Sequence, residues 1–228
     1  MLRSNIVGGV YPSGLLPCES ELMAGYEAPR AAVREALSML RDEGLVERVQ
    51  GIGTFSICDE RYTSSFEEMH GDVPDGADVM RARPRILARS VIPAPDAVAR
   101  KLEVATGEPV LLLEYLGIVD GVAVWLASNY VKFPEAERLR TTPFETEWYS
   151  LLDVAGLTVG GSHWQLCAVN ADAAVAALLN VKPGTAVMLG EELISDADGR
   201  VYDYAVCYFR SDRHSFVSGT GRFAPDVR

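Results

Sequence analysis

The chain has 228 residues, 48% of them hydrophobic and 23% charged, ordinary globular material for one large domain or two unequal ones. Its 21 Lys+Arg against 32 Asp+Glu leave a net charge of −11, a balance that taken alone argues against a partner with a phosphate backbone. No apolar run approaches the ~20 residues of a membrane span, and residues 1–10 hold one Arg and no apolar block before a cleavage site, so neither a membrane anchor nor a signal peptide is expected.

From the N-terminus, residues 19–26 read as a short helix with Leu22, Met23 and Tyr26 on one side, kept short by Pro17 before it. Pro29 suits the first turn of a second helix running to about Glu43, with Val33, Ala36, Leu37 and Leu40 at i, i+3, i+4, i+7 and Gly44 as its left-handed stop. Strand signals at 45–49 and 54–57 then flank Gln50-Gly51-Ile52-Gly53, a tight hairpin tip. Two helices joined by a short turn and followed by a hairpin outline a winged helix-turn-helix over residues 1–57.

Residues 58–80 are polar, rich in Asp, Glu, Gly and Ser, and read as a linker. Residues 81–223 follow as an α+β region, with 224–228 a tail. Within it, 95–102, 148–155 and 172–179 read as short helices. Residues 110–119 and 122–131 form a hairpin across Asp120-Gly121, 162–170 is strand-like, and 187–195 and 201–209 form a second hairpin around Asp198-Gly199. Helices alternating with hairpins predict an antiparallel sheet with helices packed on one face.

Four cysteines (Cys18, Cys58, Cys167, Cys207) lie far apart with no CxxC and no His at ligand spacing. They point to reduced, mostly buried thiols in a cytoplasmic protein, without a zinc site or a disulfide framework, and no metal or cofactor is expected. His70, His163 and His214 are isolated. No nucleophile–base pair and no phosphate-binding glycine loop stands out, which argues against an enzyme.

Read together, Leu16-Pro17-Cys18-Glu19-Ser20-Glu21-Leu22, Ala28-Pro29-Arg30-Ala31-Ala32-Val33-Arg34-Glu35-Ala36-Leu37, Glu43-Gly44-Leu45-Val46-Glu47-Arg48 and Gly51-Ile52-Gly53-Thr54-Phe55 resemble the DNA-binding domain of GntR-family bacterial transcription regulators, in register from Leu16 to Phe55. Residues 81–223 resemble the UTRA effector domain of the HutC branch, related in fold to chorismate lyase. That resemblance rests on Gly107-Glu108-Pro109-Val110, Trp148-Tyr149-Ser150-Leu151-Leu152, Asp198-Gly199-Arg200-Val201-Tyr202-Asp203 and Tyr208-Phe209-Arg210-Ser211-Asp212-Arg213. It implies a regulator, a repressor in the first instance, that binds a pseudo-palindromic double-stranded operator as a homodimer and answers to a small-molecule effector. The alternative is an effector sensor that has lost operator binding and acts through protein contacts.

The resemblance places Arg30 and Arg34 at the start of the helix that enters the major groove, where Arg pairs bidentately with guanine O6 and N7. Arg48, Gln50, Gly51, Gly53 and Thr54 belong to the wing, the glycines for close backbone approach and Thr54 as a phosphate donor. On the helix alone, Arg30 and Arg34 read as a solvated face paired with Glu27 and Glu35; the whole motif in register turns the reading to DNA contact. The family often has Arg at Ser20, Ser at Pro29, Thr at Ala31 and Ala32, and Arg at Ile52, so phosphate donors are fewer here. Residues 1–57 hold five Arg, no Lys and seven acids, a net of −2, whereas 58–228 hold 16 basic and 25 acidic residues, a net of −9. A modest salt dependence follows. The family also has a full first helix where only residues 2–7 are available, so that helix is short or the start codon lies upstream.

In relatives that sense phosphorylated sugars, two Arg and a Ser hold the phosphate. Tyr115, Gly117 and Glu147 stand at those positions. With Asp203 matching the family's acid and Tyr149 and Arg210 as further lining, the expected effector is cationic, neutral or aromatic rather than a sugar phosphate. For Glu147 the bland reading is a solvated acid at a helix start; for Arg210 it is an Arg–Asp cluster closing the domain.

Overall fold

The computed structural model describes residues 1–7, 10–11, 14–57, 62–65 and 82–217. The chain divides into two compact units. One is Met1–Tyr62 with Asp212–Ser215; the other is Thr63–Ser211 with the residues from Phe216.

The first unit holds α1 (Leu2–Val7), α2 (Glu19–Gly25), α3 (Arg30–Asp42), β1 (Val46–Val49) and β2 (Gly53–Ser56). Val33 and Leu40 are the buried residues of α3, spaced to share one face. Leu40 packs with Ile6, Leu16, Leu45 and Val46, and Leu37 packs against that cluster. Pro29 sits one residue earlier than expected, as the extended N-cap rather than in the first turn. Gly44 (φ +71°) stops α3, and Leu45 N–H closes back on the Leu40 carbonyl at 2.9 Å. The turn between α2 and α3 puts Glu27 in the left-handed region (φ +49°), a conformation that costs a residue with a Cβ.

β1 and β2 pair antiparallel from Val46↔Ser56 to Val49↔Gly53. The segment before α2 joins them as a third edge: Leu16 N–H donates to the Thr54 carbonyl and Ser56 N–H to the Gly14 carbonyl. This explains Gly53 differently from the sequence reading. A Cβ there would fall 2.7 Å from Leu15 Cδ1, so the glycine admits Leu15, while Gly51 at the open tip has no neighbour within 4 Å.

The second unit is a six-stranded antiparallel sheet in the order β4-β5-β6-β9-β8-β7: β4 (Arg83–Pro93), β5 (Pro109–Val119), β6 (Val122–Lys132), β7 (Gly161–Asn170), β8 (Ala186–Ser195) and β9 (Val201–Arg210). β3 (Tyr62–Ser65) and β10 (His214–Val217) form a separate two-stranded ribbon, so a strand lies within the stretch read as a linker; most of that stretch is outside the described residues.

Four short helices accompany the sheet: α4 (Asp96–Leu102), α5 (Glu135–Leu139), α6 (Trp148–Val154) and α7 (Ala173–Leu179). Asp172 caps α7, accepting from Val175 N–H at 2.8 Å. Val175, Ala176 and Leu179 of α7 pack on Leu116, Leu126 and Val187, and α4 packs on Val110 and Tyr204. Those strand positions alternate with Tyr115, Ala127 and Asp203, whose face is met instead by α6 through Trp148. Helices therefore cover both faces, not one as expected: both faces of the central strands are apolar enough to need cover. The cysteines differ from expectation too. Cys207 is buried, but Cys18 and Cys167 are exposed, and Cys58 lies outside the described residues. Among the described residues no helix is long and apolar enough to cross a membrane, and no group of three His, Cys, Asp or Glu could hold a metal.

Candidate functional site

In the N-terminal unit, Arg30 and Arg34 stand one turn apart at the start of α3, both well exposed. Their partner is neither Glu27 nor Glu35 but Glu19 of α2: Glu19 Oε2 accepts from Arg30 Nε at 3.3 Å, and Oε1 lies 4.0 Å from Arg34 Nε. The start of α2 is held by a hydrogen bond from Cys18 N–H to Glu21 Oε2 at 2.8 Å, which draws the Glu21 carboxyl below its ordinary range.

Between α3 and the wing runs a cleft of about 400 Å³. It is lined by Arg34, Glu35, Ser38 and Arg41 on the α3 side, by Arg48 and Thr54 on the wing side, and by Glu19 of α2. Gln50 and Arg48 border a second concavity with Arg41, and Ile52 projects from the wing tip into solvent. The structure thus brings Arg34, Arg48 and Thr54 to one groove, with Arg30 joined to it through Glu19; Gly51 and Gly53 do not line it. Glu19 is the member that sequence reasoning missed. Its signal is only its place two residues after the Pro17 breaker, and nothing in its spacing ties it to Arg30.

In the second unit, the face shared by Tyr115, Ala127 and Asp203 carries buried acids among aromatic rings. Asp203 is fully buried; its Oδ2 accepts from Trp148 Nε1 at 2.7 Å and from Asn129 Nδ2 at 3.1 Å. Burial, and then the nearby Glu192, push its carboxyl well above the carboxylate range, against the pull of those two donors. Glu192, on the neighbouring strand and the same face, where it pairs with Ala205, is also buried. It accepts from the Tyr149 hydroxyl and from Ser162 Oγ at 2.7 Å. Burial and the Glu192 charge raise the Tyr149 phenol in turn.

Tyr115 stacks on Trp148 (centroids 6.3 Å apart) and meets Phe144 edge-on at 4.7 Å. Gly117 lies under Trp125, its cross-strand partner: a Cβ at 117 would fall 2.0 Å from the indole, so no side chain fits there while Trp125 keeps its place. Gly190 is covered likewise by Trp164. The sheet face is therefore paved with rings laid over glycines.

Tyr115, Gly117, Tyr149 and Asp203 are gathered on or against this face. Glu147 stands at the N-cap of α6 beside Trp148 and makes no capping bond with its side chain. Arg210 does not join the group. It alternates with Phe209 and points to the other face, where its Nη1 donates to the Leu179 carbonyl at the end of α7 (3.2 Å) and faces the Ala123 carbonyl (3.4 Å). It thus ties α7 to the sheet rather than lining this group. Asn129, Trp125 and Glu192 were missed. Only Glu192 left a signal: in the adjacent pair Glu191-Glu192 strand alternation forces one acid inward, and Glu191 is the one facing Lys101 and Tyr204 on the opposite face.

Comparison with known proteins covers both units. The family model for bacterial regulatory proteins of the gntR family matches residues 1–55, and that for the UTRA domain matches residues 78–215. An uncharacterized HTH-type transcriptional regulator, RB1450 of Rhizobium meliloti (strain 1021), is 29% identical over 93% of this chain and 88% of its own. The HTH-type transcriptional repressor NagR of Bacillus subtilis is 22% identical over 95% of this chain and 90% of its own. Among solved structures, PhnF from Mycobacterium smegmatis superposes with a TM-score of 0.63 at 25% identity, covering 91% of this chain and 92% of that one.

Proposed function

The chain belongs to the GntR family of bacterial regulatory proteins, in the group whose second domain is a UTRA domain, and from that premise we propose that it is a transcription regulator that reads a pseudo-palindromic operator as a homodimer and is reset by a small-molecule effector. The observation that carries the DNA half is the groove flanked by Arg34, Arg48 and Thr54, with Arg30 exposed beside it. In this reading Arg30 and Arg34 face base edges, and Arg48, Gln50, Gly51, Gly53 and Thr54 position the wing on sugar and phosphate. A gel shift with DNA from the region upstream of the protein's own gene tests it. Wild-type protein shifts a specific fragment and Arg34→Ala does not. A shift that survives Arg34→Ala, or no specific shift at all, contradicts the reading and favours a sensor acting through protein contacts.

The effector half rests on the face around Asp203. Two buried carboxyls, aromatic walls and a ring across Gly117 suit an amine, a polyhydroxyl or an aromatic ligand; the cation on the same face, Arg89, stands on the edge strand β4 and donates to the Thr142 carbonyl. Ligand binding would act by favouring one placement of the two DNA-reading units over another, since half-sites must lie about one helical turn apart. A thermal-shift screen is the test. Stabilisation by amine-bearing or aromatic compounds is expected; stabilisation by sugar phosphates in their place overturns this ligand class.

A further inference from the structure

The carboxylate of Glu19 sits between the two arginines proposed to read bases: it accepts a hydrogen bond from Arg30 and stands at ion-pair distance from Arg34. Each pair uses Nε, at 3.3 Å for Arg30 and 4.0 Å for Arg34. Among the described residues Arg30 makes no other hydrogen bond and Arg34 makes none, so the two terminal amino groups of each remain outside the pair. Those terminal groups are the ones that a bidentate contact with guanine O6 and N7 can use. The arginine side chains are 72% and 64% exposed and Glu19 27%, so the pairs adjoin the groove rather than being buried beneath it.

Resting on the DNA-reading proposal, we propose that Glu19 is a positioning residue that sets operator specificity. It acts in two ways. By drawing Arg30 through a hydrogen bond and Arg34 through its charge, it biases their forks toward one arrangement before DNA arrives and lowers the ordering cost of the specific complex. By placing a negative charge beside the groove, it weakens attraction to phosphate wherever the bases do not reward the arginines. The surroundings make the device useful: Ala31 and Ala32 offer no side-chain donor, so discrimination falls on these two arginines. As an exposed ion pair the cluster contributes little to folding stability, so its presence is better explained by binding.

The test uses the full chain and two variants, Glu19→Gln and Glu19→Asp. A randomised duplex library enriched on the wild-type protein supplies the operator, and a scrambled duplex of equal length supplies the reference. Affinities for both are measured by fluorescence anisotropy, and thermal unfolding is followed in parallel. Glu19→Gln should bind the scrambled duplex more tightly and the operator no better, so that the ratio of the two falls about tenfold, the order of one bidentate base contact. Its melting temperature should stay that of wild type. Glu19→Asp keeps the charge but is one methylene too short to span both arginines. It should retain wild-type weakness toward the scrambled duplex and lose only part of the ratio. A Glu19→Gln ratio equal to that of wild type overturns the proposal, as does a parallel loss of both affinities with a lowered melting temperature. If the wild-type protein enriches no sequence, the regulator reading itself fails, and this proposal with it.

Discussion

In the N-terminal unit the acids that matter stand at the surface beside cations: Glu19 against Arg30 and Arg34, and Glu43 against Arg3. In the sheet unit Asp203 and Glu192 are buried and take hydrogen bonds from an indole, an amide, a phenol and a hydroxyl. The same residue class meets two dielectric regimes. A solvated carboxylate keeps its charge and costs little, so it can tune how other charges meet a polyanion. Burial favours the protonated form, as at Asp203, whose carboxyl is pushed well above the carboxylate range, so it is suited to register a cationic ligand. A net charge of −11 therefore does not oppose DNA binding as a whole. Most of it lies outside residues 1–57, and part of the remainder lies beside the arginines proposed to read DNA.

The sharpest way to break this contrast is Trp148→Ala. It removes a buried ring packed on Tyr115 and Phe144 and strips Asp203 of its shortest hydrogen bond, so it should cost about 3–5 kcal/mol. All three tryptophans (Trp125, Trp148, Trp164) lie in the sheet unit, so intrinsic fluorescence during urea unfolding reports that unit. A loss below about 1 kcal/mol would mean that the Asp203 cluster is loosely held and not a prebuilt site.

A second difference should show in pH. Asp203 is raised in the folded state by burial, so the folded chain keeps a proton that the unfolded chain releases. Its contribution to stability is present below the ordinary carboxylate range and declines as pH rises toward the raised folded value. Asp203→Asn should flatten that decline. An unchanged pH profile in the variant would place the titration elsewhere. In the N-terminal unit Glu21 is drawn downward instead, so its contribution is present above the ordinary carboxylate range and fades as pH falls through the lowered value.

The smallest expected effect concerns the turn before α3. Glu27 has φ +49°, so Glu27→Gly should stabilise the N-terminal unit by about 0.5–1 kcal/mol. Circular dichroism during thermal unfolding measures it. A destabilised variant would show that the Glu27 side chain contributes more than its backbone costs.

Local signals were legible because their physics is local. The helices α2 and α3, the Gly44 stop, the wing tip and both long hairpins depend on residues within a turn or two of one another. The edge strand β4 was not read. Its Ile86, Leu87 and Val91 are exposed, prolines stand near its start and at its end, and a bulge between Ile86 and Ala88 breaks the alternation that marks a half-buried strand. α5, five residues long, has too few turns to show a period. The candidate sites divide the same way. Arg30 and Arg34 declare themselves by spacing on one helix, and Asp203 by a matched motif. Asn129 beside Asp203, Trp125 across Gly117 and Glu19 behind Arg30 depend on strand register or helix docking, which sequence distance does not encode. Arg210 stands one residue of strand parity from Phe209, which puts it on the face opposite Tyr115 and Asp203.

The most direct test of the central claim, an acidic chain that reads DNA with a few well-placed arginines, is the salt dependence of operator binding. Log K against log [salt] should be linear with a shallow slope, well short of that for roughly ten neutralised phosphates, while sequence preference persists across the range. A slope as steep as that, with sequence preference lost at moderate salt, would mean that phosphate contacts carry the affinity and would contradict the account.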